Sequence, residues 1–184
     1  MKKNILTLLL ALTFSSMGVH ANAQKDPMVG GAAMYPTKNI VENAVNSKDH
    51  TTLVAAVKAA GLVDTLEGPG PLTVFAPTNE AFAALPAGTV DTLLKPENKP
   101  TLVKILTYHV VPGKLTTRDL KKMIRQGGGK AELKTVQGGT LTVSMKDGKY
   151  MLTDEKGGMA TITIPNVIQS NGVIQVINAV LMPN

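Results

Sequence analysis

The chain contains no cysteine and no tryptophan, and only three phenylalanines, three tyrosines and three histidines. Without cysteine there is no disulfide framework, no thiol nucleophile and no lipid-anchored N-terminal Cys, so stability must come from packing. The few, scattered aromatics argue against nucleic-acid binding, which uses stacking side chains interleaved with a basic face. Only one apolar run stands out, Ile5 to Phe14, and it is too short to cross a bilayer. Preceded by Lys2 and Lys3 and followed by Ala21-Asn22-Ala23, it reads as an export signal over residues 1–23. Removing it leaves 161 of the 184 residues, enough for one domain with a real core, and predicts an exported protein, periplasmic or extracellular. The formal charge of +6 falls to +4 without Lys2 and Lys3, with 17 basic residues against 13 acidic ones. This mild excess suits weak attraction to acidic polysaccharide or an anionic surface.

The most informative stretch is Leu72 to Leu85 (LTVFAPTNEAFAAL), where a strand period gives way to a helix period across one Ala-Pro-Thr-Asn corner. Leu72, Val74 and Ala76 alternate with Thr73 and Phe75, and Pro77 ends the strand because it has no amide to donate. Thr78 is placed to cap the helix that follows, with Glu80 near its positive end and Phe82 and Leu85 on its buried side.

Before this corner, residues 24–36 (QKDPMVGGAAMYP) show no period and are expected to form an extended N-terminal arm. A helix capped by Thr37 should bury Ile40, Val41, Ala44 and Val45. A second, capped by Asp49 or Thr51, should bury Leu53, Val54, Val57 and Ala60 and close at Gly61. After the corner, short helices are expected from Thr89 and from Pro100, the latter running into Tyr108-His109-Val110-Val111-Pro112-Gly113. A last helix, capped by Thr116 or Thr117, carries Arg118, Lys121, Lys122 and Arg125 on one face and stops at Gly127-Gly128-Gly129. From Ala131 the period is two. Asp147-Gly148 marks a hairpin, Met159 to Ile164 a strand, and Asn166–Gln169 with Val173–Leu181 a second hairpin turning at Asn171-Gly172. Helices with one strand among them, followed by strands, make an α+β chain.

Three of these stretches, taken together, resemble the fasciclin I family of adhesion domains: LTVFAPTNEAFAAL, then ILTYHVVPGKL at Ile105 to Leu115, then NGVIQVINAVLMP at Asn171 to Pro183. The resemblance covers residues 37–184. It implies a β-sandwich or wedge with several helices packed around it, and a non-enzymatic module for cell adhesion or association with a cell surface or extracellular matrix. Its Tyr-His motif points to Tyr108, His109, Val110, Val111 and Leu115 as candidate partner-binding residues. The Asp-Ile pair behind integrin recognition in animal members is missing, so the implied partner is a cell-surface or matrix protein or polysaccharide.

Little else suggests chemistry. His50 beside Asp49 has the wrong spacing and too few companions for a metal, and reads as a solvated loop histidine. His109 is expected to fix the Val110–Gly113 loop through its ring nitrogens. Asp154-Glu155 should point apart in a solvated turn rather than pair across a cleft. No nucleophile elbow or phosphate loop is present, and no cofactor, metal or enzymatic activity is expected. The Arg118, Lys121, Lys122 and Arg125 face is a candidate polyanion site. The alternative reading is a periplasmic carrier of a small apolar or metal-containing ligand, held in the groove between helices and sheet.

Overall fold

The computed structural model describes residues 26–184, so the expected export signal lies outside the described residues. The chain begins with two paired two-residue strands, β1 (Met28–Val29) and β2 (Ala32–Ala33), joined by a turn at Gly30-Gly31. A helical stretch follows: α1 (Ile40–Ala44), α2 (Thr51–Ala60) and α3 (Val63–Glu67). Strand β3 (Leu72–Pro77) leads into α4 (Asn79–Ala83), α5 (Thr89–Leu93) and α6 (Lys99–Tyr108), then β4 (Val110–Pro112) and α7 (Thr117–Gln126). Five strands complete the chain: β5 (Lys130–Lys134), β6 (Thr140–Lys146), β7 (Lys149–Thr153), β8 (Met159–Gln169) and β9 (Gly172–Ile177).

Seven of these strands form one sheet in the order β4-β3-β9-β8-β7-β6-β5. Helices pack around it, giving the expected α+β wedge. Strand β3 lies between β4, to which it is antiparallel, and β9, to which it is parallel, with Leu72 opposite Gly172 and Pro77 opposite Ile177. Strands β3 and β9 are buried on both faces, which divides the interior in two. Val74, Ala76, Ile174 and Val176 face a core shared with α1, α2, α3 and α6. Phe75 and Ile177 face a second core built by β5 to β8, with Leu120 and Ile124 of α7. Alternation along β3 therefore separates two cores rather than core from solvent.

The corner at its end behaves as the residues dictate. Thr78 has extended backbone and its hydroxyl accepts from the Ala81 amide, while its own amide donates to the Ile177 carbonyl. Asn79 does more than turn the chain. Its Oδ1 accepts from the Thr52 amide at 3.0 Å and the Thr51 hydroxyl at 3.2 Å, and its Nδ2 donates to the Lys48 carbonyl at 2.8 Å. It thereby caps α2 from a different helix.

Several expectations need correction. Helix α2 is capped by Asn79 rather than by Asp49 or Thr51, and Val45 is exposed rather than buried. The stretch 24–36 does not extend as an arm where it is described. Met28–Ala33 turns back on itself, and Val29 and Met34 enter the first core. Gly30 is required there, because at φ +58° a side chain would be strained and a Cβ would lie 2.5 Å from Ser47 Oγ. The first helix is capped by Asn39, not Thr37, through a capping box with Glu42. Met159–Ile164 and Asn166–Gln169 are one strand, β8, carried past Pro165 by bulges between Ile162 and Val167. The last turn sits at Ser170-Asn171, and β9 ends at Ile177 rather than Leu181.

Candidate functional site

The Tyr-His motif lies where α6 passes into β4. Leu102, Ile105 and Leu106 bury one face of α6, and that anchoring turns Tyr108 into the second core. Tyr108 is fully buried; its hydroxyl donates to the Thr140 carbonyl at 2.8 Å and accepts from the Glu155 amide at 3.2 Å. Burial pushes its pKa up to about 12, so the phenol remains a donor.

His109, 3 % exposed, has both ring nitrogens engaged. Nδ1 lies 2.9 Å from the Ile105 carbonyl and Nε2 3.0 Å from the Leu181 amide. A carbonyl only accepts and an amide only donates, so the ring is neutral with its proton on Nδ1. Burial lowers its pKa to about 4; the Ile105 carbonyl and the Asp154 charge oppose that only in part. His109 therefore ties α6 to the C-terminal segment, not to the Val110–Gly113 loop as expected. Asp154 and Glu155 hold the same segment. Asp154, also buried, accepts from the amides of Lys156, Gly158 and Met182, and Glu155 accepts from those of Thr140 and Asn184. Glu155 is exposed in a turn, as expected, whereas Asp154 is buried.

Of the five candidate partner-binding residues, Tyr108, His109, Val110 and Val111 are buried and Leu115 is half-buried. Among the described residues, the first four are therefore covered rather than displayed for a partner. What reaches solvent is the loop they support, where Pro112 and Lys114 are exposed. Buried Thr73 fixes it, its hydroxyl donating to the Gly113 carbonyl at 2.6 Å and accepting from the Leu115 amide at 2.8 Å. Buried Gln175 donates to the Leu115 carbonyl at 2.9 Å.

Helix α7 follows directly. Thr116 and Asp119 form its capping box, with the Thr116 hydroxyl and amide holding the Asp119 carboxyl below the usual carboxylate range. Leu120 and Ile124 bury one side, leaving Arg118, Lys121, Lys122 and Arg125 exposed together. The structure brings these four to one surface, next to the loop.

A second feature had no clear signal in the sequence. His50 is buried, not solvated, at the N-terminus of α2; its Nδ1 lies 2.9 Å from Ser47 Oγ. It stands in the wall of a largely apolar cavity of about 230 Å³ between α1, α2, α3, α6 and the β3–β9 face. Its neighbours in sequence, Lys48, Asp49 and Thr51, are exposed and gave no hint of its burial. Among the described residues there is no group of three or more His, Cys, Asp or Glu placed to hold a metal, and no helix is long and apolar enough to cross a membrane.

Comparison with known proteins places this architecture. The Fasciclin domain profile matches residues 48–183. Protein sll1483 of Synechocystis is 47 % identical over 174 residues, covering 95 % of this chain and 89 % of that protein. The cell surface glycolipoprotein MPB83 of Mycobacterium bovis is 33 % identical over 166 residues, covering 90 % and 64 % respectively. The solved FAS1 domain pair of the insect cell adhesion molecule fasciclin I superposes with a TM-score of 0.71 at 18 % identity, over 79 % of this chain and 51 % of that one. The profile match runs from just before α2 to beyond β9, and the chain belongs to the fasciclin domain family.

Proposed function

We propose that this protein is an exported, non-enzymatic interaction module that associates with the cell surface or extracellular matrix. The names of two of its relatives, a cell surface glycolipoprotein and a cell adhesion molecule, support the class of function. The observation that carries the reading for this chain is the exposed face of α7. Four cations stand there at helical spacing, backed by the second core and flanked by the Pro112–Leu115 loop. A partner with dense negative charge, such as an acidic matrix polysaccharide, complements that face, and repetition along the polymer turns weak contacts into useful retention. Tyr108, His109, Val110 and Val111 contribute from the interior, Tyr108 and His109 by tying α6 to the β5–β8 side and the C-terminal segment, rather than by touching the partner, with Leu115 at the boundary.

Retention on immobilised alginate tests this. The wild-type protein is expected to bind at low salt and elute as salt rises, because exposed charges are screened over about 10 Å at 0.1 M. Replacing Arg118, Lys121, Lys122 and Arg125 with Gln should abolish retention without changing thermal stability. Equal retention of both proteins would remove the basic face from the mechanism.

A further inference from the structure

The first core encloses a cavity walled by Val41, Leu53, Val57, Leu66, Val74 and Ile174. Exposed residues at its rim, Lys58, Thr65 and Pro69, show that it is not sealed from solvent. An apolar space of about 150 Å³ holds benzene. At about 230 Å³, this one has room for roughly nine non-hydrogen atoms on the same scale.

The wall contains one unsatisfied polar group. His50 is 3 % exposed and its Nε2 has no hydrogen-bond partner among the described residues. The Ala76 backbone lies near enough to favour a protonated ring but closes no hydrogen bond, and burial outweighs it, keeping the imidazole neutral. Ser47 Oγ engages only Nδ1. If Nδ1 accepts from Ser47, Nε2 carries the proton and donates; if Nδ1 donates, Nε2 accepts. A hydroxyl group satisfies either arrangement, since it both donates and accepts. A charged group does not suit a neutral ring in an apolar wall.

From these features we infer that the cavity binds a small apolar alcohol or phenol, the hydrocarbon body against the α1–α3 and β3–β9 side chains and the hydroxyl paired with His50. The hydrogen bond fixes orientation and the apolar wall supplies affinity, as in other small-molecule sites. This inference does not depend on the surface reading, which concerns α7, and each can fail without the other.

The test uses the whole chain with 4-ethylphenol and ethylbenzene as probes, followed by calorimetry and by NMR contacts from probe protons to protein methyls. The wild type is expected to bind 4-ethylphenol saturably, about tenfold more tightly than ethylbenzene. Contacts should fall on Val57, Leu66 and Ile174. His50→Leu should bind both probes equally. Should that variant fold poorly, the wild-type contacts and the preference between probes still decide. No saturable binding of either probe, contacts elsewhere on the protein, or a phenol preference that survives His50→Leu would overturn the inference.

Discussion

Acidification should weaken the fold through His109 in a way one substitution isolates. The ring is neutral because it donates from Nδ1 to Ile105 and accepts at Nε2 from Leu181, and a second proton on Nε2 would face an N–H. Its folded pKa is about 4 against an ordinary 6.5. Above pH 6.5 the ring is neutral in both states and folding is unaffected. As pH falls, the unfolded chain takes up the proton first, so stability drops between about 6.5 and about 4 and then levels off. At about 1.4 kcal/mol per unit, the full loss is roughly 3 kcal/mol, or about 6–12 °C in Tm for a chain of this length. Asp119 and Glu155 titrate low in the folded state and add a loss of their own at still lower pH, and His50 also has a lowered pKa. A paired comparison cancels these contributions. His109→Gln keeps a donor for Ile105 and an acceptor for Leu181 but cannot be protonated. Urea unfolding of both proteins between pH 7.5 and 4 should show the wild type losing roughly 3 kcal/mol relative to the variant. Parallel curves would mean that His109 is not a buried neutral histidine, and the reasoning about the C-terminal clamp would fall with it.

Two further predictions concern the frame around the site. Asn79→Ala removes the acceptor for Thr52 and Thr51 and the donor to Lys48, so the urea midpoint should fall by the equivalent of about 2–3 kcal/mol, with Asn79→Asp intermediate because it keeps the acceptor. Gly172→Ala would set a Cβ 2.0 Å from the Leu72 carbonyl, inside the parallel β3–β9 pair where neither backbone can yield; a loss of about 3 kcal/mol or more in the same assay is expected, and a near-neutral result would contradict this pairing.

The parts legible in the sequence were those governed by neighbours a few residues apart. Thr78 and Thr116 cap the helices they precede, Gly61 closes α2 at φ 71°, and Asp147-Gly148 turns with both residues at positive φ. Pairings across the chain left no such trace. Nothing local in Leu72–Pro77 says that it runs parallel to a strand one hundred residues later. The bulges in β8 shift its period between Ile162 and Val167, so one strand looks like two. His50 and Asp154 sit among charged neighbours that suggest a solvated loop; Gly30 instead packs against residues 47–49 just before His50, and Asp154 accepts from the Met182 amide.

His50 and His109 show why burial alone does not identify a site. Both are almost fully covered and both are kept neutral by loss of water. At His109 two backbone groups complete the ring's hydrogen bonding, so nothing remains for a ligand and the residue is structural. At His50 one nitrogen is engaged by Ser47 and the other has no hydrogen-bond partner among the described residues, in a side chain that lines a cavity. An unmet polar group in an apolar wall is costly for folding alone. That cost is offset when a ligand brings the missing partner, which makes the less conspicuous of the two histidines the better marker of a binding site. The motif histidine holds the scaffold on which the surface of α7 is displayed.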